Sequence, residues 1–93
     1  MIKHIVMWKL KDKADAEPLK KALEALRGKI PGLLNIEVGI DFNQSEHAAD
    51  VVLYAELACR DALLAYQEHP EHKAVIPMVQ AVAVARTVVD YEI

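Results

Sequence analysis

The sequence predicts an α+β fold of the ferredoxin-like type, with the element order β-α-β-β-α-β. Four stretches alternate between apolar and polar residues, as half-buried strands do. Two further regions space their apolar residues three and four apart, as amphipathic helices do. Right-handed crossovers between these elements give a four-stranded antiparallel sheet with the helices on one face.

The first strand is predicted at residues 1–11. Its even-numbered residues are apolar except for His4, whereas its odd-numbered residues are apolar only near the centre, at Ile5 and Met7. Successive side chains of a strand point to opposite faces of the sheet. Because His4 has the same parity as Trp8, we expect His4 to point towards the helices.

The next three elements are a helix at residues 15–29 and strands at residues 33–40 and 49–57. Asp15 is the expected N-cap of the helix, and Pro18 suits its first turn. A Pro-Gly pair after the helix predicts its end. Both strands carry alternating apolar residues, and a polar loop separates them.

A short helix is predicted at residues 60–68, with Pro70 immediately beyond it. Because Pro70 disfavours helical geometry at the preceding residue, we expect His69 to end this helix and to cap a second helical piece. Pro77 should distort or restart that second piece. The last strand is predicted at residues 83–93.

Apolar residues on both faces of the central strands predict a homodimer. The helices cover one face, but Ile5, Met7, Val52 and Tyr54 belong to the other. Apolar residues on both faces of a strand imply that both faces are buried. The chain has no further element for the second face, so we expect a second copy to pack there, sheet against sheet, with two-fold symmetry.

Length and composition predict a single domain, residues 1–93, with neither a nucleic-acid nor a membrane partner. The net charge is −3 and no basic stripe occurs, which disfavours nucleic-acid binding. No apolar run approaches the ~20 residues that span a bilayer, and no signal peptide is evident, so we expect a cytoplasmic protein. Cys59, the only cysteine, cannot form an intrachain disulfide and is expected to be a small packing residue.

The main candidate for chemistry is the segment Tyr66-Gln67-Glu68-His69-Pro70-Glu71-His72, together with His4. A histidine near neutral pH can act as a general base next to a carbonyl group, and a tyrosine can hold a substrate oxygen or orient the base. A purely structural role explains the same residues. A buried His4 needs a hydrogen-bond partner, which Tyr66 or His72 would supply.

A metal site built from His4, His69 and His72 is an alternative that the sequence does not favour. The spacing of the last two across Pro70 matches no known ligand motif, and no carboxylate is clearly placed to join them. The chain also has no glycine-rich phosphate loop, nucleophile elbow or dinucleotide fingerprint. We therefore expect neither a metal nor a cofactor.

Several short motifs are spread over nearly the whole chain. They are Ile2-Lys3-His4-Ile5-Val6, Ile30-Pro31-Gly32, Glu37-Val38-Gly39, Tyr66-Gln67-Glu68-His69-Pro70-Glu71-His72 and Val88-Val89-Asp90-Tyr91. Together they resemble the stress-responsive dimeric α/β-barrel family, called Dabb. The resemblance implies a ferredoxin-like protomer and a two-fold dimer whose two sheets form a shared barrel.

The resemblance also implies a site. One plant member of the family, olivetolic acid cyclase, closes a linear polyketide by an aldol condensation, and its active-site residues match His4, Tyr66 and His72. By this resemblance His72 would be the general base and Tyr66 its hydroxyl partner, acting on a small hydrophobic carbonyl ligand. Where that enzyme's pocket has aromatic residues, this chain places Leu19, Leu23, Leu53, Val75 and Ala83.

Two classes of function stay open from the sequence. A cofactor-free enzyme or small-molecule binder would have a pocket between the helices and the sheet. A non-catalytic, stress-related homodimer would use the same residues for structure and would have a filled core there. Cofactor-less monooxygenase chemistry is a third alternative, which rests on fold analogy alone.

Overall fold

A four-stranded antiparallel sheet with three helices forms the fold, as seen in a computed structural model that describes residues 1–93. The elements are β1 (Ile2–Leu10), a short 3-10 turn (Lys13–Asp15), α1 (Ala16–Glu24), β2 (Leu33–Ile40), β3 (Val51–Leu57), α2 (Arg60–Glu68), α3 (Pro70–Val82) and β4 (Ala83–Glu92). The strand order is β2-β3-β1-β4, and all neighbouring strands are antiparallel. The predicted ferredoxin-like fold class is confirmed. No helix has the length and apolar character that spanning a bilayer requires.

The hydrophobic core lies between the sheet and the helices. Every even-numbered residue of β1 is buried, and so is every odd-numbered residue of β3. The helix α1 adds Ala16, Leu19 and Leu23 to this core. The period of two along the strands therefore fixes which side chains meet the helices, and His4 is among them, with 3% of its surface exposed.

The first helix is shorter than predicted. It ends at Glu24 rather than at Lys29, and the chain continues in tight turns held by hydrogen bonds between residues three apart, such as Lys29 N to Leu26 O at 3.1 Å. Gly28 has a φ of +79°, a left-handed conformation that no helix can pass through. Asp15 is at the N-cap position as predicted, but its side chain makes no capping hydrogen bond.

The junction between α2 and α3 follows the prediction at His69 but not at Pro77. His69 ends α2 and is the N-cap of α3, where its Nδ1 accepts a hydrogen bond from the Glu71 backbone N–H at 3.1 Å. Pro77 was expected to distort or restart the helix, yet α3 runs through it without a break. Pro77 and Lys73 are both exposed, so water can bond the Lys73 carbonyl that the proline leaves free.

Three details also differ from the predictions: the alternation of β2, the position of Cys59 and the start of β3, which was predicted at residue 49. The predicted alternation of β2 fails at Leu34, which is the extra residue of a bulge and is 59% exposed. Cys59 precedes α2 and is exposed, so its predicted packing role is wrong. The strand β3 begins at Val51, after Asp50, whose buried carboxylate accepts a hydrogen bond from the Leu10 N–H at 2.8 Å.

The second face of the sheet is apolar and carries no helix. Ile5 lies between Tyr54 of β3 and Val89 of β4 in the strand register, so the three side chains share this face. Met7 lies on the same face and is 38% exposed. The sequence predicted this distribution of apolar side chains.

Candidate functional site

A cavity of about 320 Å³ opens between α3 and the half of the sheet formed by β1 and β4. Its walls are mostly hydrophobic, and its polar side chains come from four different elements. The lining residues are His4, Val6, Trp8, Leu23, Leu53, Tyr66, His72, Val75, Ile76, Val79, Gln80 and Arg86. Of the five residues that the resemblance suggested for the lining, Leu23, Leu53 and Val75 do line the cavity. Leu19 is instead fully buried in the core, and Ala83 lies outside the cavity.

The structure brings His4, Tyr66 and His72 together, as predicted. The ring centroids of Tyr66 and His72 are 4.6 Å apart, and those of His4 and Tyr66 are 5.9 Å apart in an edge-on arrangement. Pro70 produces this arrangement, because the break it causes lets α3 start in a new direction just after Tyr66. His72 then occupies the first turn of α3 and faces Tyr66 across the junction.

His4 has a different hydrogen-bond partner from the one predicted. Its Nδ1 bonds the carboxylate of Asp90 on β4, directly opposite His4 in the strand register. The expectation that Tyr66 or His72 would serve as the partner is therefore wrong. A carboxylate bound to Nδ1 fixes the orientation of the His4 ring, and the ring edge in turn packs on Tyr66.

His72 is the least satisfied histidine of the group. Its Nδ1 is buried and has no hydrogen-bond partner. Burial lowers the pKa of His72 below its ordinary value of 6.5, and the nearby His4 and Arg86 act in the same direction, whereas the nearby backbone of Gln67 opposes them. His72 is consequently neutral at pH 7, which is the form that can accept a proton.

Tyr66 stays protonated in this environment. Its side chain is 1% exposed, and burial raises the pKa of Tyr66 to about 12. A phenol with such a pKa donates a hydrogen bond but does not act as a base near neutral pH. The site therefore combines one neutral imidazole with one neutral phenol at van der Waals distance.

Three polar residues of the cavity were not singled out from the sequence: Trp8, Gln80 and Arg86. The indole Nε1 of Trp8 is the second buried side-chain atom without a hydrogen-bond partner, after Nδ1 of His72. Arg86 on β4 lies directly opposite Trp8 on β1. In the sequence, Arg86 is marked only by having the same parity as Asp90, which places both on one face of the last strand. Its neighbours Ala85 and Thr87 are small or polar and give no further indication of a site.

No group of three or more His, Cys, Asp or Glu side chains is arranged to hold a metal ion. His69, which the sequence grouped with His4 and His72, turns its Nδ1 to the backbone of α3 instead. It does not line the cavity.

Comparisons with known proteins identify the family. The model of the stress-responsive A/B barrel domain, Dabb, matches residues 2–93. The chain belongs to the Dabb family. The Dabb resemblance noted in the sequence is thereby confirmed over nearly the whole chain.

Solved structures with the same fold include two bacterial ferredoxin-like proteins described as dimeric and of unknown function. One, from Bacteroides fragilis, is 36% identical, with 99% of this chain and 95% of that chain covered and a TM-score of 0.88. The other, from Thermobifida fusca, is 28% identical, with 99% and 90% covered and a TM-score of 0.87. A hydroxynitrile lyase from Passiflora edulis shares the fold at 13% identity, with 99% and 92% covered and a TM-score of 0.84. No curated protein matches the chain.

Proposed function

We propose that this Dabb protein binds a small carbonyl compound in the cavity and uses His72 as a general base, without a cofactor. Two observations carry the proposal together: the buried Nδ1 of His72 has no hydrogen-bond partner, and the residue His72 lines a cavity. A buried polar atom normally has a partner in the folded protein. A proton donated by a bound ligand would give Nδ1 of His72 the partner that the chain itself does not supply.

The proposed reaction begins with removal of a proton from the carbon next to the carbonyl group. The proton moves to Nδ1 of His72, and the electron pair of the C–H bond moves to the carbonyl oxygen, which gives an enolate. The phenol of Tyr66 donates a hydrogen bond to that oxygen, since its pKa of about 12 keeps it protonated. The enolate carbon can then attack a second carbonyl group, as in an aldol condensation, and His72 returns its proton to the new alkoxide.

His4 contributes by position in this proposal. The carboxylate of Asp90 holds the His4 ring, and the ring edge packs against Tyr66. A fixed Tyr66 presents its hydroxyl in one place, which is what stabilisation of a developing charge requires. The cavity is the reason to prefer this proposal over a purely structural role for the three residues, which would be served by a filled core.

Exchange of α-protons with deuterium tests the base without knowledge of the natural substrate. We expect the protein to accelerate loss of the ¹H NMR signal of the protons on the carbon between the two carbonyl groups in uncharged 1,3-diketones dissolved in D₂O. Replacement of His72 by Gln should reduce that acceleration by roughly 10² to 10⁴, the contribution of a positioned base. His47→Gln is the matched control, because the His47 side chain is 87% exposed and lies in the loop before β3.

Two results would contradict the proposed base. One is a folded His72→Gln variant that exchanges protons as fast as the wild type. The other is a wild-type protein that neither exchanges nor binds any of the diketones, with binding measured as the thermal shift of a ligand that binds only the native state. Circular dichroism shows whether each variant is folded.

We also propose that the protein is a homodimer joined through the helix-free face of the sheet. The dimeric relatives support this assembly, and the apolar side chains of Ile5, Met7 and Val89 supply the contact. Met7→Glu should shift the protein to monomers in sedimentation, because dimerisation would bury an unpaired charge. Leu64→Glu, at a position of α2 that is 61% exposed, is the control and should remain dimeric. A dimer that withstands Met7→Glu at micromolar concentration would refute this arrangement.

A further inference from the structure

The cavity beside His72 has a cationic end. Arg86 is the only lining residue with a permanent charge, and no acidic residue lines the cavity. The other two arginines of the chain have partners: Arg60 pairs with Glu92 at 3.1 Å, and Arg27 bonds the carbonyl of Ile36. Arg86 makes neither an ion pair nor a side-chain hydrogen bond within the chain.

Trp8 brings a second unpartnered donor to the same end. Its side chain is 5% exposed, and its Nε1–H has no acceptor. Trp8 and Arg86 are directly opposite each other on β1 and β4, which places their Cβ atoms about 4.5–5.5 Å apart on the same face of the sheet. An indole N–H and a guanidinium can only donate hydrogen bonds, so what both lack is an acceptor.

We propose that Arg86 and Trp8 bind the carboxylate of an oxo acid, which places the carbonyl group of that acid beside His72. This inference rests on the proposed function and names its substrate class. A carboxylate offers two acceptor oxygens, which suits one guanidinium and one indole N–H together, and a charge-assisted hydrogen bond is about twice as strong as a neutral one. The aliphatic walls between the two ends take the carbon chain of the acid.

The electrostatics of the cavity favour an anion at this end. The C-terminal end of α3, at Val82, carries the equivalent of about half a negative charge, which opposes an anion. The full charge of Arg86 exceeds it, and no carboxylate among the lining residues neutralises that arginine. Gln80, near the end of α3, adds an amide that can donate a further hydrogen bond to the same group.

A matched pair of probes tests the proposal. 4-Oxo-4-phenylbutanoate carries the carboxylate, and its primary amide has the same shape without the charge. By titration calorimetry at low salt we expect the wild-type dimer to bind the acid roughly tenfold to a hundredfold more tightly than the amide, the range typical of a hydrogen-bonded charge. The preference should decrease at high salt, because screening weakens charge interactions at an exposed arginine such as Arg86.

Substitutions then identify the groups responsible. Arg86→Gln should abolish the preference for the acid and leave amide binding unchanged. Trp8→Phe, which removes the N–H and keeps an aromatic ring, should weaken acid binding about two- to tenfold. Arg60→Gln is the matched control, because Arg60 lies outside the cavity, and it should bind like the wild type.

Three results would overturn the inference: equal binding of acid and amide, no binding of either probe, or an Arg86→Gln variant that keeps the preference for the acid. An Arg86→Gln variant that turns monomeric without losing that preference would show that the arginine serves the dimer instead. The test is independent of the proposed base, which is judged by proton exchange in uncharged diketones. Each proposal can therefore fail while the other stands.

Discussion

The two halves of the helix-covered sheet face are packed differently. The helix α1 buries Ala16 and Leu19 against its half, and its buried Leu23 reaches the edge of the cavity, whereas α3 has no buried residue among its thirteen. The difference is not one of composition, because α3 carries the apolar residues Val75, Ile76 and Val79 on the side that faces the sheet. Side chains fill the space between α1 and the sheet. Beside α3, in the open half of this face, the side chains instead border a cavity.

The polar groups show what this difference means. Away from the cavity, the buried carboxylate of Asp50 accepts a hydrogen bond from the Leu10 N–H. In the open half Trp8 Nε1 and His72 Nδ1 are buried and have none. Unpartnered polar atoms reduce stability, so their concentration around one cavity is a cost in folding free energy that the proposed ligand site would explain.

Removal of side-chain atoms should affect the two halves unequally, and this is the largest effect we expect. Leu19→Ala should lower the free energy of unfolding by about 2–5 kcal/mol, because Leu19 has no exposed surface and its removal leaves a void. Val79→Ala should cost about 1 kcal/mol or less, since Val79 is only half-buried and already borders a cavity. Chemical denaturation at one fixed protein concentration measures both. Equal losses would show that the open half is as tightly packed as the other.

Substitutions that add a methyl group should also destabilise closely packed positions more than open ones, with smaller losses in the free energy of unfolding. A Cβ at Gly32 would lie 2.7 Å from the Cβ of Ala62 on α2, whereas a Cβ at Gly28 would meet nothing within 4 Å. Both glycines have positive φ, so Gly32→Ala and Gly28→Ala share a backbone cost of about 1–2 kcal/mol. Gly32→Ala should add about 1–3 kcal/mol from overpacking.

The open half supplies the matched comparison. Val75→Ile adds one methyl group beside the cavity and should leave the melting temperature nearly unchanged. Melting curves of Gly32→Ala, Gly28→Ala and Val75→Ile are compared with that of the wild type. A Val75→Ile variant destabilised as much as Gly32→Ala would contradict the presence of free space beside α3.

The smallest expected effect is a pH dependence of stability that comes from the open half. Because the pKa of His72 is lowered in the folded state, the unfolded chain binds its proton more readily. The free energy of unfolding should therefore be fully retained above pH 6.5 and should decrease as the pH falls from 6.5 through the lowered pKa. His72→Gln should lose less stability than the wild type between pH 7.5 and pH 5, and His47→Gln should behave like the wild type. Identical pH profiles for wild type and His72→Gln would contradict the lowered pKa.

Much of the fold could be predicted because the strands have a clear period of two. The same period placed His4 on the helix side, the helix spacing placed Tyr66 on the apolar stripe that faces the sheet, and Pro70 predicted the break that brings His72 to them. The errors arose where local geometry overrides pattern. The chain leaves the α-helix at Ala25 for a series of tight turns, and the left-handed Gly28 prevents the helix from resuming. Pro77 is tolerated inside α3 at an exposed position, where water can reach the backbone.

The partners of the site residues could not be predicted in the same way. Asp90 and Arg86 lie on β4, an edge strand that is exposed on both faces, so neither parity nor hydrophobicity distinguishes their roles. The unpartnered Nε1 of Trp8 is also invisible in the sequence, because tryptophan is a common core residue whose N–H usually finds an acceptor. Only the pairing of β1 with β4 shows that Asp90 lies opposite His4 and that Arg86 lies opposite Trp8.

That pairing also sets the time at which the site can form during synthesis. His4 and Asp90 are separated by 86 positions, and Trp8 meets its neighbour Arg86 only when the last strand of this chain has been added. A nascent chain whose β4 is still inside the ribosome can pair β1 with β3 and bury the residues of α1, yet it has neither the carboxylate that holds His4 nor the arginine. The half of the sheet under α1 can thus fold early in translation, whereas the proposed site is complete only after β4 has emerged and paired with β1.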